Sequence, residues 1–229
     1  MVKQQYELTF TESCLGTAPN NEEIYTEYIA SKAPDAMSRE EEIESVGLTA
    51  YTEKGITVYN RDLNGNPALM NYHIKGFFKD ACSMLNKLTP KDPTTGKKAK
   101  ATNESSKLKA YKKIIDGLIF VEPRFIPFDF EGEVGLCQRP LRAQTMQGER
   151  VALAISEEIP KGAKIRFTVY CFDESLLAAV DEWMDYGYFR GISQWRNSGK
   201  GTFTYKKIGE PEYGDFLREV RKASEDAAD

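Results

Sequence analysis

Histidine occurs once in this chain, at position 73, and that scarcity removes most imidazole chemistry. No multi-histidine metal site can form, and no serine-histidine-acid or cysteine-histidine set can be assembled around His73. Cysteine is nearly as sparse. Cys14, Cys82, Cys137 and Cys171 lie far apart without a Cys-x-x-Cys spacing, which argues against a zinc site or a disulfide framework and leaves buried free thiols. No apolar run approaches the ~18 residues that a membrane helix needs, and the first residues lead straight into a strand pattern without a secretory signal. The expectation is a cytoplasmic protein with no membrane partner. Positive charge is not in excess either: the formal net charge is −4. Binding of nucleic acid by bulk charge is thereby disfavoured, although a local basic groove is not. No motif calls for a cofactor or a metal.

What the sequence does have is a chain of 229 residues, 41% hydrophobic and 29% charged, enough for one sizeable core. Residues 5–11 alternate, with Tyr6, Leu8 and Phe10 on one face, and predict a half-buried strand. Residues 22–31 suggest a short helix, and Ser38-Arg-Glu-Glu41 is a capping box opening a second that ends at Gly47. Seven acidic residues from Glu22 to Glu42 read as a solvated insertion, with a carboxylate metal site as the sharper alternative. Asn64-Gly65 between Ile56–Asn60 and Ala68–Tyr72 is a hairpin signal. From Ile74 onward, Phe77, Phe78, Ala81, Cys82, Leu85 and Leu88 recur at helical spacing and predict an amphipathic helix over 75–88.

Residues 89–106 lose all periodicity and predict a disordered loop. Nine lysines lie between Lys87 and Lys113 against two acids, which fits either a solubilising or a functional segment. A short helix over 108–115, stopped by Gly117, and an apolar strand over 118–121 follow. The stretch 123–149 reads as an irregular, proline-interrupted excursion carrying Arg139 and Arg142. Alternation over 150–157 and 164–172 predicts the best hairpin of the chain. A helix over 174–186, a last strand over 202–208 and a charged C-terminal helix over 214–223 complete the pattern.

Between the last long helix and the last strand lies Gly187-Tyr-Phe-Arg-Gly-Ile-Ser-Gln-Trp-Arg-Asn-Ser-Gly-Lys-Gly201. Glycines such as Gly199 and Gly201 permit positive φ and close approach of backbone to a ligand, with N–H groups able to meet an anion. A tight turn joining two packed elements is the plainer reading of the same residues. As exposed loop charges, Arg196 and Lys200 would contribute little to folding.

Strand 5–11, helix 75–88, strands 150–157 and 164–172, helix 174–186 and strand 202–208 make a βαββαβ order. The fold class expected is α+β, a ferredoxin-like core with inserted helices, a hairpin and a thumb-like excursion. One domain over 1–229 is expected, with insertions at 12–73 and 89–149. The same order hosts many functions.

Four stretches, in this order, resemble the RAMP superfamily of CRISPR RNA-binding proteins, particularly its backbone-forming subunits. They are the strand exit Leu8 to Gly16, the helix start Tyr72-His-Ile-Lys-Gly-Phe-Phe-Lys-Asp80, the segment Glu158 to Phe167, and Gly191-Ile-Ser-Gln-Trp-Arg-Asn-Ser-Gly-Lys-Gly-Thr-Phe203. The resemblance implies a protein that binds single-stranded RNA without cleaving it. Lys75, Lys79, Arg196 and Lys200 would meet phosphates beside the backbone of Gly199 and Gly201. Arg139 and Arg142 would lie on the thumb, and Trp195 or Tyr188 would stack a base. It also implies self-association or assembly with other RAMP-type subunits. Two other classes remain open: an interaction protein, phage-encoded, that mimics or blocks a host defence complex through its acidic face, and a metal-independent endoribonuclease using His73. In the plainer reading His73 is a hydrogen-bonded structural residue.

Overall fold

The computed structural model describes residues 1–20, 56–88, 103–145, 148–215 and 217–218. Its strands are β1 (Val2–Phe10), β2 (Cys14–Leu15), β3 (Ala18–Pro19), β4 (Ile56–Val58), β5 (Asn60–Arg61), β6 (Pro67–Met70), β7 (Ile119–Glu122), β8 (Phe125–Pro127), β9 (Gly135–Thr145), β10 (Gly148–Ile159), β11 (Lys164–Cys171) and β12 (Phe203–Tyr213). Helices are α1 (Asn71–Leu85), α2 (Glu104–Lys107), α3 (Tyr111–Leu118) and α4 (Leu176–Arg190), with a 3-10 turn at Arg196–Ser198.

The main sheet has the order β12-β1-β11-β7, and every neighbouring pair in it is antiparallel. Strict alternation decides its faces. Tyr6, Leu8 and Phe10 of β1, Ile165, Phe167 and Val169 of β11, Ile119 and Val121 of β7 and Phe203 of β12 are all buried. The α1 residues Ile74, Phe77, Phe78 and Ala81 and the α4 residues Val180, Trp183 and Met184 join them in one core. Aromatic rings lock the layers together. Phe78 meets Trp183 at 5.4 Å and Phe77 meets Phe203 edge-on at 5.4 Å, pairs that add about 0.5–1.5 kcal/mol each beyond their area. Tyr6 donates its hydroxyl to Asp181 at 2.9 Å, so its ring is buried without an orphaned polar atom.

The other face of this sheet is polar. There Glu7 is nearly inaccessible, yet it accepts from Arg166 at 2.5 Å and Lys206 at 2.8 Å. Hydrogen bonds from Lys206 and then Arg166 hold its carboxyl down at about 2.

Several expectations change here. The second strand of the main sheet in chain order is β7, not 150–157, and it lies inside the segment read as the 89–149 insertion. β10 and β11 do not pair; β10 instead pairs β9 along its length, β2 and β4 at its far end, in a second sheet. Thus 135–145 is a regular strand of a long hairpin rather than irregular chain. Pro140 is tolerated because β9 is the outer strand of that pair. The hairpin at Asn64-Gly65 is present, but its second strand stops at Met70, where α1 begins. Gly117 sits inside α3 and does not stop it.

The loop expected over 89–106 is also corrected at its end. Ser105 is buried, and Glu182 of α4 accepts the backbone N–H of Glu104 at 2.6 Å and of Ser105 at 3.1 Å. The indole of Trp183 donates to Ser105 Oγ at 2.9 Å. Residues 89–102, the acidic helices expected at 22–31 and 38–47, and most of the C-terminal helix lie outside the described residues. The thiols are unpaired; burial pushes Cys14 up to about 11 and Cys171 up to about 12. No described helix is long and apolar enough to cross a membrane.

Candidate nucleic-acid interface

Between α4 and β12 the chain folds back on itself through backbone contacts that few residues other than glycine allow. Ile192 N–H donates to Gly201 C=O at 2.9 Å, and Gly201 N–H donates to Ser13 C=O at 2.8 Å. Gly201 has φ +71°, and a Cβ there would stand 2.0 Å from the Ile192 oxygen. Gly199 also has positive φ, +86°, but a Cβ on it would meet open space. Gly201 is therefore required by packing, and Gly199 only by its backbone angle.

The side chains of this loop reach back into the fold. Arg196 donates to Asp80 Oδ2 of α1 at 2.7 Å, and Arg190 donates to the same oxygen at 2.8 Å. That carboxylate raises the Arg190 pKa further. Lys200 meets Glu158 Oε1 at 2.7 Å and Ser13 Oγ at 2.5 Å. Burial pushes the Glu158 carboxyl up, but hydrogen bonds from Lys200 and Ser13 outweigh it and the net shift is downward. Gln194 donates to Gly16 C=O at 2.9 Å. Arg196 and Lys200 thus fasten the loop, contrary to the expectation of free surface charges.

Arg139 of β9 behaves differently. Only 6% exposed, it has no carboxylate partner among the described residues. Its guanidinium donates to Ser156 Oγ at 3.0 Å and Gln194 Oε1 at 2.8 Å. Its charged carbon lies 5.4 Å from the centroid of the Trp195 ring. Trp195 sits in the left-handed region at φ +54° and is 41% exposed. One residue at a strained angle thus holds an indole against a buried cation and offers it to solvent.

The structure brings together Arg139, Trp195, Arg196, Gly199, Lys200 and Gly201. Lys75 and Lys79 stand apart, facing α3. Lys79 pairs with Asp116 at 2.6 Å, while Lys75 donates to the Asp116 carbonyl at 3.1 Å and lies 4.9 Å from the Phe120 ring centroid. Burial lowers the Lys75 pKa. Arg142 lies on β9 opposite Val151. Tyr188 is exposed in the last turn of α4 against Phe189.

His73 has both ring nitrogens engaged. Met70 N–H donates to Nδ1 at 3.2 Å, so the proton sits on Nε2, which faces Thr17 Oγ1 at 3.3 Å. This closes the start of α1, and burial lowers the His73 pKa. Sequence reasoning missed Asp80, Glu158, Ser156 and Gln194. Asp80 is 116 residues from Arg196, and no local pattern connects them.

No family model and no curated protein matches the sequence. Among solved structures, one chain of "Cryo-EM structure of the Type III-B Cmr-beta bound to cognate target RNA" is 11% identical with a TM-score of 0.50, covering 92% of this chain and 60% of that one. A chain of "Type IV-B CRISPR Complex" is 8% identical at a TM-score of 0.47, covering 93% of each, and Cmr6 from Pyrococcus furiosus is 11% identical at 0.46, covering 89% and 98%. The likeness to the first is one of fold, and the chain spans 60% of that neighbour's length. That likeness, to a chain of a CRISPR complex, concerns the fold alone.

Proposed function

We propose that this protein binds single-stranded RNA without cleaving it, on a ferredoxin-like core of RAMP type, at the surface formed by Trp195, Arg139 and the 190–201 loop. The observation that carries this reading is the exposed Trp195 ring backed by the buried Arg139 guanidinium. A solvent-facing indole fixed by a strained backbone is a platform for a base, and stacking of this kind is worth about 1–3 kcal/mol per base. Charge agrees with it. Arg190 and Arg196 share Asp80 and Lys200 pairs with Glu158, while Arg139 has only the neutral partners Ser156 and Gln194 among the described residues, so four cations stand against two anions here despite the chain's net −4. Ion pairs from Arg196 to Asp80 and from Lys200 to Glu158 fix the loop on the fold before a ligand arrives.

His73 supports a non-catalytic reading, since both ring nitrogens are engaged in positioning the start of α1. Assembly with further copies or with other RAMP-type subunits belongs to the same proposal. Its test is fluorescence titration with single-stranded oligouridine. Trp183 is fully buried, so quenching of the second tryptophan, Trp195, reports contact. Trp195→Ala should weaken binding about 5- to 150-fold, the equivalent of one stacked base. RNA binding that leaves Trp195 emission and the affinity of Trp195→Ala unchanged would refute this site.

A further inference from the structure

The cations singled out by the loop and helix motifs are engaged by groups of the same chain; a different cluster is not. Lys109, Lys112 and Lys113 are exposed and have no acid partner among the described residues. They line a groove of about 600 Å³ together with Leu108 and Tyr111. Ala110, at φ +53°, turns the chain between Lys109 and the first residue of α3. A non-glycine residue in that region costs about 1–3 kcal/mol, and here it lets lysines from both sides of the turn line one hollow. The acid of α3, Asp116, lies at the other end of the helix and is occupied by Lys79.

Three exposed lysines without an acid partner among the described residues, beside Leu108 and Tyr111, call for an occupant that is anionic and also presents a flat apolar group. A nucleotide strand supplies both in every unit, phosphate and base, whereas a peptide must combine separate acidic and aromatic residues to do so. Position also matters. The Lys79–Asp116 pair joins α1 to α3, and the next residue of α1, Asp80, receives Arg190 and Arg196. Helix α3, which carries Lys112 and Lys113, and the 190–201 loop are thus tied to adjacent residues of α1. We infer that the groove takes a second stretch of the same single-stranded RNA, with phosphates on Lys109, Lys112 and Lys113 and a base against Tyr111. This inference rests on the RNA reading above.

The test compares wild type, Trp195→Ala and the triple variant Lys109→Ala/Lys112→Ala/Lys113→Ala by anisotropy, using a long oligouridine across a salt series. Ultraviolet cross-linking of 4-thiouridine RNA to the wild-type protein is mapped in parallel. For the triple variant the slope of log affinity on log salt should become shallower by about 2, at ~0.7 per lost contact, with the melting temperature unchanged. The cross-link should fall on Tyr111 or its neighbours. An unchanged slope with no cross-link near Tyr111, in a protein that binds RNA through Trp195, overturns the groove and leaves the first site standing. Loss in the triple variant with no effect of Trp195→Ala keeps the groove and removes the Trp195 site. If wild type binds poly-glutamate but no RNA, both fall and the groove belongs to an acidic protein.

Discussion

Replacing Gly201 with alanine should unfold the loop's closure, and Gly199→Ala, two residues away, is its control. Both residues have positive φ, +71° and +86°, so both substitutions place a side chain in the left-handed region at about 1 kcal/mol. Only Gly201 adds a collision, with its new Cβ 2.0 Å from the Ile192 carbonyl oxygen. Relief of that contact must stretch the 2.9 Å bond from Ile192 N–H and the 2.8 Å bond to Ser13 C=O, each worth about 1 kcal/mol net. Gly201→Ala is therefore expected to cost about 3 kcal/mol and Gly199→Ala about 1 kcal/mol. For a chain of this size these correspond to roughly 6–12 °C and 2–4 °C in Tm. Urea titration and calorimetry of the two variants measure the difference directly. Equal and small losses would refute the clamp; so would a Gly201→Ala protein that keeps wild-type stability while losing RNA binding.

Asp80→Asn should raise affinity for RNA while lowering stability, because it frees Arg190 and Arg196 from a competing anion; unchanged affinity in an oligouridine titration would exclude these arginines from the site. The double change Arg196→Ala/Lys200→Ala should weaken binding and, unlike a change of free surface charges, also lower Tm by a few degrees, since it removes two partly buried ion pairs. Burial lowers the His73 pKa, so the unfolded chain takes up the proton first: stability is full above about pH 6.5 and declines as pH falls through the lowered folded value. His73→Gln should flatten that limb of a urea-midpoint-against-pH curve, and an unchanged limb would assign it elsewhere. Glu7, held at about 2, adds a separate loss between about pH 4.5 and 2, which Glu7→Gln should remove.

The parts of this fold legible in the sequence were those set by short-range period. The alternation of β1, β11 and β12 and the helical spacing from Ile74 to Cys82 and from Leu176 to Met184 are consequences of one buried face meeting water on the other. The partner of β10 was not legible. Alternation over 150–157 says that one face is buried but not against which strand; β10 pairs β9 in a register running from Gly148–Thr145 to Glu158–Gly135. Pro140 cannot donate to a ladder, but on the outer strand of that pair the donor is not needed. The apolar run 118–121 marks β7 as a strand, but four residues carry no sign of which sheet they join.

The loop shows a sharper boundary. Its glycines, its tryptophan and its cations are visible as types, and the structure does gather Arg139 with Trp195, Arg196 and Lys200. Their acids could not be read, because Asp80 and Glu158 carry no mark distinguishing them from the other carboxylates of the chain. That difference alters the physics of the site. An arginine alone on a loop meets a phosphate at the cost of its own hydration; Arg190 and Arg196 must also release Asp80 or share it. Arg139 needs no such exchange: among the described residues its partners Ser156 and Gln194 are neutral, and its charge lies beneath the indole. The buried residue, rather than the exposed ones, is therefore the cation whose field a stacked nucleotide on Trp195 would meet in full, and in a low-dielectric setting that field is least screened by salt.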